Sequence, residues 1–283
     1  MKRFFQLAMV LVLLTACADK SYNTLAINGM KGRVKTVKTS CFFTTVEDGK
    51  VQKDALMDYI ITDNYLSFYP MCEAHYNKKG NIIKQEVYDN RHKLQSVIES
   101  DYIGNYRISN KLKDSKGKVQ SSSEIAVEHG QAVGYQYYNV NFPDNYDVRE
   151  CCFNGLQVES YMLYRDTIPS VQILYEYKNN LMSKSITKDL ENSSTYIISQ
   201  EWLSNGQLTS VVETQNDEVV LKINLEYDHK KLLVQYSRKA KMHDPEAYKF
   251  EYTSFDVKDN WLERVVHVNG KPLLIEQRVI EYY

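Results

Sequence analysis

Apolar and polar side chains alternate one by one along several stretches of this chain. Between Val219 and Tyr227 every second residue is apolar, and most of the residues between them are polar or charged. The same alternation occurs in 171–178 and 248–253. A two-residue period is typical of a half-buried strand, whose side chains point in turn to the two faces of a sheet. Since no sustained helical period follows residue 20, the pattern predicts an all-β body.

Turn signals recur at a regular interval along this body. Six glycines end short turn-like sequences, five of the Asn-Gly or Lys-Gly kind and one His-Gly, and every interval between them is close to a whole multiple of about 12.6 residues. Such a period fits one strand plus one tight turn, and short turns join antiparallel neighbours. The chain therefore predicts an up-and-down meander of about 16 to 19 strands. The six glycines are Gly80, Gly117, Gly130, Gly155, Gly206 and Gly270.

The first part of the body is less regular than the rest. Gly49 and Asn64 also read as turns, but the interval from Gly49 to Gly80 is not a whole multiple of the period. We expect a longer strand, a bulge or a loop near 69–71.

A meander of this width cannot stay flat. At about 4.8 Å per strand it would be on the order of 75 Å wide, and open sheets rarely exceed about ten strands without curling or splitting. We expect an elongated, curled or twisted sheet that forms a single β-repeat domain over 31–283. A half-barrel, a sheet folded on itself and a closed barrel all remain compatible with the pattern.

The first residues have the character of an export signal. Lys2 and Arg3 precede an apolar run from Phe4 to Leu14 that only Gln6 interrupts. The run is too short for a membrane-spanning helix, which needs about 20 apolar residues. The sequence thus predicts a signal helix that directs export.

The end of this segment, Leu14-Thr15-Ala16-Cys17, closely resembles the lipobox of bacterial lipoproteins. The resemblance implies that residues 1–16 are a lipoprotein signal peptide and that Cys17 is acylated, for example with palmitate, and becomes the first mature residue. Residues 17–30 would then be the lipidated cysteine and a short tether. Ala18 stands where inner-membrane lipoproteins of enterobacteria have Asp, which favours the outer membrane, on its periplasmic face or at the cell surface. An ordinary cleaved signal with a chance cysteine is the alternative.

Several segments of the body resemble a known repeat. Residues 76–82, 88–94 and 226–233 are similar to degenerate YD/RHS repeats, and residues 202–208 are similar to MORN-like hairpin repeats. The C-terminal stretch 260–283 resembles the end of Bacteroidetes repeat lipoproteins. The resemblance implies a β-hairpin repeat fold in the cell envelope and says little about activity.

Composition narrows the class of partner. Lys plus Arg number 35 and Asp plus Glu 36, for a net charge of −1, which excludes an electrostatic nucleic-acid binder and a polybasic membrane binder. A charged fraction of 25% and a mean hydropathy of −0.48 exclude a polytopic helical membrane protein. The 23 tyrosines argue against disorder. The expected partners are the membrane, through acylated Cys17, and a glycan or an envelope protein, but no nucleic acid.

A search for catalytic and metal-binding motifs finds none, so we predict no enzyme, no metal and no cofactor. The cysteines Cys41, Cys72, Cys151 and Cys152 form no C-x-x-C motif, and no histidine stands beside them at zinc-ligand spacing. In a sequential meander Cys41 and Cys72 are two strands apart, about 10 Å, which is too far for a disulfide. We expect small buried residues, with one of the two adjacent cysteines facing in and the other out. A disulfide elsewhere and metal or redox chemistry are the alternatives.

Tyrosine and tryptophan side chains are the candidate binding residues. Tyr suits a half-buried pleated surface, so these residues serve either sheet packing or an exposed aromatic stripe that stacks on sugars or a peptide. We therefore expect a non-enzymatic, lipid-anchored binding or structural module; an integral outer-membrane barrel and a hydrolase that uses carboxylates are the alternatives. The candidates are Tyr135, Tyr137, Tyr175, Tyr177, Trp202, Tyr248, Tyr252 and Trp261.

Overall fold

The computed structural model describes residues 23–62, 65–140, 146–179 and 181–283, so the predicted signal peptide and Cys17 lie outside the described residues. Strands make up 71% of the structure, which confirms the all-β prediction. The described residues form one helix, α1 (Thr24–Ile27), and the strands β1 (Val34–Glu47), β2 (Lys50–Leu56), β3 (Ile61–Thr62), β4 (Ser67–Phe68), β5 (Met71–Tyr76), β6 (Ile82–Tyr88), β7 (Leu94–Ile103), β8 (Tyr106–Asp114), β9 (Val119–Glu128), β10 (Gln131–Asn139), β11 (Tyr146–Asn154), β12 (Gln157–Arg165), β13 (Ile168–Lys178), β14 (Leu181–Asp189), β15 (Ser194–Trp202), β16 (Leu208–Gln215), β17 (Glu218–Tyr227), β18 (Leu233–Ala240), β19 (Glu246–Phe255), β20 (Trp261–Val268) and β21 (Lys271–Tyr282).

Nineteen of these strands form one antiparallel sheet that curls into a nearly closed barrel. Strands β5 to β10 and β11 to β21 each pair with the next strand in sequence, and β1 lies between β21 and β5. Between β10 and β11 the Ala132 N–H donates to the Gly155 carbonyl at 3.0 Å. The predicted curled meander is confirmed, and its curling goes almost to closure.

The position of β1 changes the prediction for the cysteines. Thr39 on β1 lies opposite Cys72 on β5, so Cys41 and Cys72 occupy neighbouring strands on the same face. The expected separation of two strands is wrong, because closure brings the first long strand beside β5. All four described cysteines are free thiols, with Cys41 buried, Cys72 and Cys151 partly buried and Cys152 exposed.

One side-chain arrangement, an Asp or Asn that accepts two backbone hydrogen bonds, repeats in the turns. The Asp228 carboxylate accepts hydrogen bonds from the Lys230 N–H at 2.8 Å and the Leu232 N–H at 2.9 Å. Lys231 between them has a φ of 67°, in the left-handed region that favours glycine. The same two bonds form at Asn77, Asp89, Asp114 and Asp256, with positive φ three residues later at Gly80, His92, Gly117 and Asp259.

Tyrosines before these turns tie adjacent strands together. The hydroxyl of Tyr227 donates to the Leu208 carbonyl at 2.9 Å, and that of Tyr252 donates to the Leu233 carbonyl at 2.8 Å. In each case the acceptor lies 19 residues earlier in the chain. The tyrosine therefore joins one hairpin to the next, and at Tyr227 the aspartate that follows, Asp228, shapes the turn.

One end of the barrel is covered by α1. Leu25 is buried, and its N–H donates to the Gly80 carbonyl at 3.1 Å. The Asn23 amide donates to the Lys79 carbonyl at 2.6 Å. The described part of the segment predicted as a tether is thus docked on the turn between β5 and β6.

Residues 57–62 and 65–70 lie between β2 and β5 in a segment that we call the inserted loop. Its first residue, Met57, donates its N–H to the Cys41 carbonyl at 2.9 Å, and its last, Pro70, accepts from the Cys41 N–H at 3.0 Å. Between these ends Phe68 is 1% exposed and stacks on Tyr248 with ring centroids 6.2 Å apart. The loop therefore packs against the inner face of β19, and the irregularity predicted near 69–71 is confirmed.

Candidate functional site

The two faces of the barrel differ sharply in chemistry. On β17 the inward residues Leu221, Ile223 and Leu225 are buried, while the outward residues Lys222, Asn224 and Glu226 are exposed. This alternation follows from the two-residue period of the strand. The same rule predicts apolar side chains at the inward positions of every strand, so a charged side chain at an inward position is an exception.

A row of side chains on four neighbouring strands breaks this rule. Tyr252 lies opposite Arg264, Arg264 opposite Glu276, and Glu276 opposite Cys41. The side chains of Arg264 and Glu276 are only 10% and 6% exposed. The row therefore places an arginine and a glutamate in the interior between the inserted loop and α1.

Arg264 forms hydrogen bonds and ring contacts with its neighbours in and beside this row. Its Nε donates to the Glu276 carboxylate, and its Nη1 donates to the Tyr252 hydroxyl at 3.3 Å. Its guanidinium lies over the rings of Phe250 and Trp261, at 4.5 and 4.6 Å from their centroids. Burial opposes the charge, but the Glu276 carboxylate outweighs it and raises the pKa of Arg264. The pair is a buried ion pair with its hydrogen bonds made.

Arg278, one inward position further along β21, has no such carboxylate partner among the described residues. Its guanidinium stacks on Trp261 at 3.5 Å from the ring centroid, and its Nε is buried without a hydrogen bond in the described residues. Burial and the neighbouring Arg264 cation lower the pKa of Arg278 to about 10. The cluster thus holds two cations, Arg264 and Arg278, against the one carboxylate of Glu276.

The thiols next to this cluster are neutral at ordinary pH. Burial, followed by the Glu276 carboxylate, raises the pKa of the Cys41 thiol far above its usual value. Burial raises the pKa of the Cys72 thiol to about 11, although the Gln85 amide donates to its sulfur at 3.2 Å. Because the thiolate is the reactive form, neither group is poised as a nucleophile.

The predicted aromatic residues lie in the interior or at its margin, and none of the eight is exposed. Tyr135, Tyr137, Tyr175 and Tyr177 gather around Tyr161, whose ring centroid is 4.9 Å from that of Tyr135 and 6.3 Å from that of Tyr175. The structure therefore forms an internal tyrosine cluster where the sequence allowed an exposed stripe. Burial raises the pKa of the Tyr135, Tyr161 and Tyr175 phenols.

The other four predicted aromatics separate into distinct contacts. Tyr252 and Trp261 join the arginines, with ring centroids 5.8 Å apart. Tyr248 packs on Phe68 of the inserted loop. Trp202 lies apart and donates its indole N–H to the Met182 carbonyl at 2.7 Å. Only Tyr252 and Trp261 are thus brought to the charged cluster.

Sequence reasoning missed Arg264, Glu276 and Arg278. A signal for them exists in the last strand, where Leu274, Glu276, Arg278 and Ile280 share one face. Charges at alternate positions between two apolar residues indicate buried polar groups when the apolar face is inward.

The outer face carries ion pairs between neighbouring strands. Lys113 and Glu99 are 2.6 Å apart, Lys184 and Glu176 are 3.3 Å apart, and Lys38 and Glu73 are 3.4 Å apart. Most of the exposed large apolar side chains in the described residues lie in turns or near strand ends, as Met242 and Val257 do. Ion-paired lysines thus lie on the outward surface, together with partly buried apolar side chains such as Leu174, Ile186 and Ile197.

The described residues hold no group of three or more His, Cys, Asp or Glu side chains that could bind a metal ion. Among these residues, too, no helix has the length and apolar character to cross a membrane.

Comparisons with known proteins give a coarse similarity of fold. No protein-family model and no curated protein matches the chain. A porin-like protein from Bacteroides uniformis is similar over 88% of this chain and 96% of its own, at 9% identity and a TM-score of 0.41. A porin-like protein from Bacteroides vulgatus is similar over 89% and 99%, at 12% identity and a TM-score of 0.38. The structure of TcdB2-TccC3-Cdc42 is similar over 87% of this chain and 12% of that chain, at 10% identity and a TM-score of 0.34.

Proposed function

We propose that this protein is a lipid-anchored component of the outer membrane whose barrel stands in water as a non-enzymatic binding or structural module. The observation that supports it is the charged outer face. An integral barrel needs an apolar band about 25 Å tall, and a Lys or Arg at the bilayer midplane costs about 2–4 kcal/mol. Lys38, Lys113 and Lys184 all sit within outward strand positions, so insertion would bury several such charges.

The Cys17 anchor supplies attachment without insertion. Two or three acyl chains hold a protein stably, whereas one alone binds marginally. Asn23 is bound at the α1 end of the barrel, and the six residue steps from Cys17 to Asn23 span at most about 20 Å. This end of the barrel would therefore face the membrane, with the outer strand faces in water.

The binding role that we propose is for a glycan or an envelope protein. It is supported by the buried charge imbalance at Arg264, Glu276 and Arg278. A hydrolase is less well supported, because the buried carboxylates Glu213 and Glu276 are each held by the protein's own donors, tyrosine hydroxyls and Arg264 respectively.

The test of anchoring is fractionation of the wild type and a Cys17→Ser variant, with incorporation of labelled palmitate as the second readout. We expect the wild type to incorporate palmitate and to sediment with outer membranes, and the variant to do neither and to remain soluble without detergent. A variant that still needs detergent would contradict the proposal and favour an integral barrel. Ala18→Ser, next to the anchor, is the matched control and should behave as the wild type.

A further inference from the structure

The interior cluster leaves one positive charge without a counter-charge. Among the described residues no carboxylate forms an ion pair with Arg278, while Glu276 is committed to Arg264. A buried charge is stable only when it is paired and hydrogen-bonded. Arg278 is partly buried, and its buried Nε has no hydrogen bond among the described residues, so this side chain has room for a further partner.

We propose that Arg278 binds an oxyanion, a carboxylate or a phosphate group of a ligand that enters the barrel. The guanidinium presents donors in a planar fork that matches both groups, and Trp261 holds the fork in place by stacking at 3.5 Å. This inference rests on the binding function proposed above and names the chemical class of its ligand.

The groups around Arg278 suit an anion. Thr39 lies opposite Arg278 on β1, and Cys72 lies opposite Thr39 on β5; both carry uncharged polar groups. Tyr76 on β5 is close enough to affect the guanidinium, and burial raises the pKa of Tyr76 to about 12, so its phenol is neutral at ordinary pH. With Arg264, Arg278 and Glu276 the local charge is +1, which a monoanion would neutralise.

A purely structural role is the competing explanation for Arg278. Removing a partly buried charge that has no carboxylate partner relieves a desolvation cost, whereas removing one partner of a buried pair is destabilising. A structural Arg278 would thus lower the melting temperature when replaced, and a binding Arg278 would not. Melting temperature and ligand affinity together separate the two roles.

The experiment uses the full chain purified in detergent, with Trp202→Phe so that Trp261 is the remaining one of the two tryptophans. Trp261 fluorescence is titrated with acetate, D-glucuronate and inorganic phosphate, and with neutral D-glucose. We expect a saturable change with at least one oxyanion and none with glucose. Response to the carboxylates alone or to phosphate alone identifies the source of the oxyanion.

Arg278→Gln should weaken oxyanion binding by about tenfold or more without lowering the melting temperature. Arg278→Lys keeps the charge but not the fork and should retain weaker binding. Arg33→Gln is the matched control, since Arg33 is an exposed arginine over the Tyr283 ring, and should leave the titration unchanged.

The inference is overturned if no oxyanion gives a saturable change, or if Arg278→Gln binds as well as the wild type. Binding of a neutral glycan or an envelope protein, with no saturable fluorescence change from any oxyanion, would refute this inference but leave the proposed binding function intact. Failure of neutral, anionic and protein ligands alike would sink the binding function as well.

Discussion

Replacement of Phe68 by Ala should release the inserted loop from the inner face of the barrel. The Phe68 ring is 1% exposed and stacks on Tyr248. Truncation of a buried Phe to Ala costs about 3–5 kcal/mol, part of which is the cavity left behind. The ends of the loop form backbone hydrogen bonds with Cys41, and Phe68 packs in the core between them, so we expect most of this loss to fall on loop docking.

The Cys41 thiol reports on docking. It is 1% exposed beneath the loop, so a thiol reagent reaches it only when the loop opens. In a background with Cys72, Cys151 and Cys152 changed to Ser, the labelling rate of Cys41 follows the open population. A loss of about 3 kcal/mol in docking raises that rate by about two orders of magnitude.

Ile60→Ala in the same loop is the control, because Ile60 is 43% exposed and its truncation should change the rate little. Strand content by circular dichroism should stay the same in both variants. If Phe68→Ala labels Cys41 at the rate of the parent, the loop is not held by Phe68 and our account of the interior is wrong.

Three further outcomes follow from the turns, the tyrosines and α1. Asp228→Ala should lower the free energy of unfolding by about 1–3 kcal/mol, because two hydrogen bonds to the turn are lost. Lys231→Gly should raise the free energy of unfolding by up to about 1 kcal/mol, because it relieves a positive φ. Urea unfolding measures both changes, and changes of the same sign and size would refute the turn assignment. Burial raises the pKa of Tyr76 to about 12, so its stabilising contribution is complete below about pH 10 and is lost as the pH rises toward 12. The difference in tyrosinate absorbance between the wild type and Tyr76→Phe should therefore appear only as the protein unfolds, and a difference centred near the ordinary tyrosine pKa in the folded protein would contradict the burial. Gly80→Ala should undock α1 and speed trypsin cleavage between α1 and β1, because a Cβ at position 80 would lie 2.8 Å from the Asn23 amide nitrogen. Gly117→Ala is the control, because Gly117 has a similar φ but open space around it, and it should not change the cleavage rate. Equal cleavage rates in the two variants would exclude the contact between Gly80 and α1.

The strands and turns could be predicted because their signals are local. Alternation in 219–228 and 248–253 reflects which side of each strand meets water, and the structure has β17 and β19 there. The glycines at 80, 117, 130, 155, 206 and 270 all have positive φ, a requirement that few other residues meet cheaply. These features depend on neighbours within a dozen residues.

Closure and the interior could not be predicted because they depend on distant contacts. The pairing of β1 with both β21 and β5 joins residues more than 200 positions apart as well as nearby ones. The inserted loop reads as an interruption of the repeat, and its position inside the barrel follows only from Phe68 and Tyr248 being in contact. Likewise, whether Tyr135 or Arg278 faces in or out is undefined until the sheet curls.

Accessibility of outward strand positions tests the water-facing barrel most directly. Lys222→Cys and its inward neighbour Ile223→Cys, each in a background with Cys72, Cys151 and Cys152 changed to Ser, are treated with a water-soluble maleimide in disrupted outer membranes. We expect rapid, complete labelling at Lys222, which is exposed, and protection at Ile223, which is 0% exposed. Protection of the cysteine at position 222, reversed only by detergent, would place this face in lipid and contradict the account.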